Sequence, residues 1–207
     1  MLLKENDVIL FQGDSITDCG RDRNLHYHLG YGYAQRVAGE LQMRYPNMNL
    51  IFLNRGISGN RAADLVDRWQ EDCLSLKPDV LCIYIGINDT WRRYDSNSLT
   101  TTEEFEKNYR LILDQTKEKL TARLVIFEPF LLPYPAERWS WYEDLYPKIL
   151  VCRRLAKEYG ALLLPLDGIF ASAFCKQGGD YWSGDGVHPS DTGHALIAKH
   201  FIELIQA

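Results

Sequence analysis

Phe11-Gln12-Gly13-Asp14-Ser15-Ile16-Thr17-Asp18 is the stretch that decides how this chain is read. It continues an apolar run, Val8-Ile9-Leu10-Phe11, that predicts a short buried strand. Gly13 tolerates backbone conformations that a residue with a side chain resists. Ser15 therefore falls just past a strand end, where a helical turn is expected to begin. Backbone N–H groups are unpaired in such a turn and favour negative charge. A serine there serves as a helix cap or as a nucleophile, and the stretch by itself leaves both open.

Outward from it, short apolar runs alternate with longer amphipathic segments. Further strands are expected at Asn49 to Asn54, Asp79 to Ile85, Arg123 to Phe127 and Ala161 to Leu166. The third is the most continuously apolar, as suits the centre of a parallel sheet. Helices are expected at Gly32 to Tyr45, where Tyr33, Val37, Leu41 and Tyr45 recur every four residues, and at Ala62 to Leu76. Others are expected from Thr102 to Leu120, with Thr101 or Thr102 as cap, and from Trp141 to Tyr159, kinked or restarted at Pro147. Gly168 to Cys175 reads as a short helix, and Ser190 as the cap of a last one running to about Gln206. Glu128 to Ser140 is proline-containing, aromatic and aperiodic, a loop of functional length. Strand–helix alternation repeated about five times predicts an α/β fold, a parallel sheet with helices on both faces. Ligands of such sheets bind beyond the carboxyl ends of the strands.

Four loops lead from those ends. They are Gly13-Asp14-Ser15, Asn54-Arg55-Gly56-Ile57-Ser58-Gly59-Asn60, Gly86-Ile87-Asn88-Asp89-Thr90-Trp91, and Asp185-Gly186-Val187-His188-Pro189. Each has a plain reading as a turn, a cap or a surface loop, but together they bring the parts of serine acyl transfer to one edge. Ser15 needs a base. His188 can take its proton and return it to the leaving alcohol. Asp185 is near enough to hold one imidazole nitrogen. The backbone N–H groups of Ser15 and Gly59 and the Asn88 amide can face the oxygen of a tetrahedral intermediate.

GDS near the amino end, a glycine loop, GxND and a late DxxH resemble the GDSL, or SGNH, hydrolase family, over essentially the whole chain and in the family's order. The resemblance implies a flavodoxin-like three-layer α/β/α sandwich with a central parallel sheet of about five strands, as one SGNH hydrolase domain over residues 1–207. It also implies metal-independent ester hydrolysis with no cofactor. Matched residue by residue, Ser15 is the nucleophile, Gly59 and Asn88 are oxyanion donors, Asp185 is the acid and His188 the base. The strings GDSITD, NxGISGN, GINDxWRxY and VHPSxxGH are similar to the carbohydrate-esterase side of the family, in particular intracellular acetylxylan-esterase-like enzymes, which deacetylate xylo-oligosaccharides. The alternatives are a general short-chain esterase, a lysophospholipase- or thioesterase-like acylhydrolase, and a non-catalytic carbohydrate-binding protein.

Asp14, Trp91, Arg92, Tyr94 and Trp182 are the expected substrate contacts, with Trp139 and Trp141 in or beside the long loop. For the aromatics, cover of the core or of a subunit contact is the competing reading. His26 and His28, with Asp22 nearby, read as a metal site or as a solvated loop, and Arg21 and Arg23 as an anion lure or as plain surface charge. A net charge of -5 argues against nucleic acid or an anionic membrane as the main partner. No apolar run nears the ~20 residues of a bilayer span. The start has no signal-peptide core, and five cysteines without a close pair suggest reduced thiols, so a cytoplasmic protein is expected. A small-molecule ester is the expected partner, with a homo-oligomer as the assembly.

Overall fold

The computed structural model describes residues 2–206. Strands β1 (Val8–Gly13), β2 (Ile51–Asn54), β3 (Val80–Tyr84), β4 (Arg123–Phe127) and β5 (Leu162–Leu164) form one parallel sheet in the order β2-β1-β3-β4-β5. β1 pairs with β2 through Phe11 and Asn54, and with β3 through Gly13 and Tyr84. The strand that leads to Ser15 is therefore held on both sides.

The helices are α1 (Ser15–Asp18), α2 (Tyr33–Arg44), α3 (Ala62–Asp72), α4 (Ile87–Asp95), α5 (Thr102–Lys119), α6 (Tyr142–Tyr159), α7 (Leu166–Phe174), α8 (Gly179–Trp182) and α9 (Asp191–Gln206). The period-two geometry of the strands makes two cores. Ile9, Phe11, Cys82, Tyr84 and Phe127 pack with α2, α7 and α9. Leu10, Leu81, Ile83 and Ile126 pack with α3, α5 and the later turns of α6. The architecture is the three-layer α/β/α sandwich.

Local chemistry sets the boundaries. Thr101 and Glu104 form a capping box at the start of α5, and Ser190 Oγ accepts the Gly193 N–H at the start of α9. β2 begins two residues later than its apolar run because Asn49 sits in the left-handed region at φ 52°. α3 stops at Asp72, four residues short of the expected end. Leu74–Leu76 forms a tight 3-10 turn that keeps Leu74 buried, so the apolar stripe outlives the α-helix. α6 is one helix with Pro147 inside it, preceded by a 3-10 turn over Ala136–Trp141. Pro147 lies in its second turn, where the missing N–H removes a single bond.

α4 and α8 were not expected as helices. α4 buries Asn88, Asp89 and Thr90 beside Ile87 and then turns Arg92 and Arg93 outward, so it has no apolar period to read. α8 is a four-residue turn.

Candidate active site

Ser15 begins α1 directly beyond β1. Asp14 caps that helix, with Oδ1 accepting the Ile16 N–H at 3.0 Å. Gly13 is not among the residues at positive φ. Glycine is required there for space, since a Cβ would collide with the Tyr84 carbonyl oxygen on the neighbouring strand.

Ser15 Oγ lies 2.9 Å from His188 Nε2, and His188 Nδ1 lies 2.7 Å from Asp185 Oδ2. The other Asp185 oxygen accepts the backbone N–H groups of Val187 at 2.9 Å and His188 at 2.7 Å. Burial works to raise the Asp185 carboxyl, but the bond from the His188 ring and the two backbone donors outweigh it and hold the group well below the usual carboxylate range. A carboxylate only accepts, so Nδ1 carries the imidazole proton and Nε2 faces Ser15 with a free lone pair. The bond to Asp185 also raises His188 above its ordinary value, against the effect of burial. A hydroxyl, an imidazole and a carboxylate so joined can move a proton off the hydroxyl as it attacks a carbonyl.

Gly59 and Asn88 flank the same edge. Gly59 adopts φ +85°, which favours glycine, and a methyl group added there would lie 3.7 Å from the Arg92 guanidinium. Its loop is clamped to α1: Asp18 Oδ2 accepts both the backbone N–H and the hydroxyl of Ser58 at 3.1 Å. Asn88 Nδ2 donates to the Asn60 carbonyl at 3.1 Å. That bond uses one amide hydrogen and leaves the second for a ligand.

Residues 11–196 match the model of the GDSL-like lipase/acylhydrolase family. The chain belongs to that family. It is 34% identical to an acetylxylan esterase of Geobacillus stearothermophilus, an alignment covering 99% of this chain and 96% of that one. It is 28% identical to an acetylxylan esterase of Xylanibacter ruminicola, covering 94% of this chain and 41% of that longer protein. Among solved structures, a GDSL-like lipase structure from Parabacteroides merdae superposes with a TM-score of 0.95 at 40% identity, covering 99% and 97% of the two chains. The Geobacillus stearothermophilus acetylxylan esterase Axe2 superposes with a TM-score of 0.89 at 32% identity, covering 100% and 97%. This GDSL-family chain is a carboxylic ester hydrolase.

The remaining expected contacts of the GDSL-family site divide. The Trp91 ring lies 5.6 Å from the His188 ring and 5.5 Å from Trp141, and Tyr94 stacks on Trp141 at 4.9 Å. Arg92 reaches toward Gly59 and pairs with Asp95. Asp14, expected as a substrate contact, is wholly buried, with Oδ1 taken by the Ile16 N–H, so its carboxyl is closed off from a substrate. Trp182 is placed elsewhere: its indole N–H donates to the carbonyls of Ala173 at 3.1 Å and Gln177 at 3.2 Å, beside α7. Trp139 is exposed at the rim of the long loop. Arg23 pairs with Asp18, and Arg21 Nε donates to the Gly56 carbonyl. His26 Nδ1 faces Arg55, and His28 Nδ1 accepts the Asp22 N–H. No helix among the described residues is long and apolar enough to cross a membrane.

Three residues beside the site escaped the sequence reading. Asp89 is wholly buried and accepts the Ala62 N–H at 3.1 Å, which with the Asn88 bond holds Asn60 to Ala62 in place. Burial pushes it up to about 7. Asp18 is the clamp described above. Arg138 Nε donates to the Asp185 carbonyl at 3.2 Å. The GxND string was the one signal that pointed at Asp89.

Proposed function

We propose that this ester hydrolase works through a Ser15–His188–Asp185 triad, independently of any metal, and removes short acyl groups, specifically O-acetyl groups from xylo-oligosaccharides. The observation that carries the reading is the continuous relay of 2.9 Å and 2.7 Å contacts from Ser15 Oγ through His188 to Asp185. Ser15 Oγ attacks the ester carbonyl while His188 Nε2 takes its proton. The Ser15 and Gly59 N–H groups and the free Asn88 amide hydrogen face the developing oxyanion. His188 then gives the proton to the departing sugar hydroxyl as the carbon–oxygen bond breaks, which leaves an acyl-Ser15. A water attacks that ester with His188 again as base. Acetate leaves, and Ser15 recovers its proton.

The sugar reading is supported by the two acetylxylan esterase relatives and by the Trp91 face beside His188. Five free cysteines suit action in the cytoplasm on imported fragments, by one hydrolase domain over residues 1–207.

The test is a paired assay of wild type and Ser15→Ala. Acetate release from acetylated xylo-oligosaccharides is followed beside hydrolysis of short and long p-nitrophenyl esters. Deacetylation by wild type and not by Ser15→Ala supports the reading. Turnover of p-nitrophenyl esters alone refutes the sugar assignment. Activity that survives in Ser15→Ala refutes the nucleophile.

A further inference from the structure

The segment that carries Asp185 and His188 is exposed for a catalytic element. The His188 side chain is 45% exposed and that of Asp185 38%. Core packing reaches the segment through Val187, which is wholly buried, and leaves the two polar side chains on either side of it to be oriented by directed contacts.

Within the segment the Val187 and His188 N–H groups hold the Asp185 carboxylate, and the long loop holds the segment's backbone. Leu132 N–H donates to the Gly186 carbonyl at 2.8 Å, and Arg138 Nε donates to the Asp185 carbonyl at 3.2 Å. The Arg138 guanidinium also lies 3.8 Å from the Trp141 ring centroid and 4.9 Å from that of Trp91. Trp91 stands beside His188, and it belongs to α4, whose first turn holds Asn88. One planar cation thus touches both the segment bearing Asp185 and His188 and the helix bearing the oxyanion amide. Arginine suits that place because a single flat group can donate in its plane and stack through its face, which a lysine ammonium cannot do together.

We propose that Arg138 is a positioning residue for ester hydrolysis, holding the Asp185–His188 segment against the Trp91–Trp141 pair so that His188 stays in line with Ser15. The inference rests on the triad reading above. Arg138 acts a second time through its charge. The charged and titratable groups that face His188 are Asp185 on its own segment, Asp14 below, His194 on α9 and Arg138. Asp14 and Asp185 favour the imidazolium, and Arg138 opposes it.

Wild type, Ser15→Ala, Arg138→Met and Arg138→Lys are compared on p-nitrophenyl acetate from pH 5 to 9, with thermal unfolding of each. Arg138→Met is expected to lose about 10- to 100-fold in kcat with little change in KM, as a small misplacement of the base does. Its acidic limb moves to higher pH, because the charge opposing His188 protonation is gone. Arg138→Lys keeps the charge, so its limb stays where the wild-type limb is, while kcat still falls. If Arg138→Met does not fold, the lysine variant carries the test, and a wild-type kcat in it overturns the proposal. A folded Arg138→Met with an unmoved limb, its loss tracking only a lower Tm, also overturns it. Wild type that is inactive, or Ser15→Ala that equals wild type, fails the triad reading first and takes this proposal with it.

Discussion

Replacing Asp14 by asparagine is expected to make the protein more stable at pH 8 than at pH 5, relative to wild type. Asp14 is wholly buried. Its Oδ1 accepts the Ile16 N–H, while Oδ2 has no hydrogen-bond partner among the described residues. Burial therefore pushes its carboxyl up from 3.8 to about 7. Between those values the unfolded chain has released the proton and the folded chain still holds it. The stabilising contribution is complete in acid and is lost as pH rises through about 7. A shift of about 3 units at 1.36 kcal/mol each amounts to about 4 kcal/mol over the full range, of which about 2–3 kcal/mol falls between pH 5 and 8. Asparagine keeps the acceptor for Ile16 and cannot ionise. Urea unfolding of wild type and Asp14→Asn at pH 5 and pH 8 isolates the effect, because every other titrating group is common to both proteins. The difference between them is expected to move toward the variant by about 2–3 kcal/mol as pH rises. A difference that is the same at both pH values would refute the reasoning and show that the buried carboxyl ionises at little cost.

Three further outcomes are expected. Asn88→Ala should lower kcat about 10²- to 10³-fold with KM little changed, the loss of one oxyanion donor; an unchanged kcat would remove Asn88 from that role. The raised His188 places the acidic limb of kcat/KM above pH 6.5, since the base works only when Nε2 is unprotonated, and a flat profile from pH 5 to 8 would contradict it. Trp182→Phe should leave kcat and KM on acetylated xylo-oligosaccharides alone and lower Tm by about 2–4 °C, the worth of the indole bond to the Ala173 and Gln177 carbonyls. A raised KM for the sugar would return Trp182 to the site.

The parts of the site that were legible are those whose chemistry is local. Ser15 and Asn88 each stand just past a strand end, in the first turns of α1 and α4, so knowing the strand places the residue, while His188, two helices beyond β5, is marked by the DxxH string before α9. The parallel sheet with helices on both faces was legible because continuous apolar runs and repeats every four residues report burial directly. Asp14 shows where local reading ends. Its string is the most conspicuous in the chain, yet nothing in GDS says whether the aspartate faces solvent and substrate or the interior. That is decided by the fold that buries it, and with it the sign of its effect on stability.

α4 carries the same lesson further. Its first turn buries Asn88, Asp89 and Thr90 where an ordinary helix would bury leucines, and the missing apolar period hid the helix. Asn88 and Asp89 hold the Asn60–Ala62 backbone from there, and the proposed oxyanion role uses the second amide hydrogen of Asn88. Arg138 is further from view, since its partners are an indole pair on two elements and a carbonyl in a third. Residues proposed to perform the chemistry stand just past strand ends or in one short string before α9, and a linear reading finds them. Residues that aim those groups act across loops distant in sequence, so only the folded arrangement brings them into view. For the same reason Arg138 is expected to act on kcat and the pH profile together, while Trp182, which ties α8 to α7, acts on stability alone.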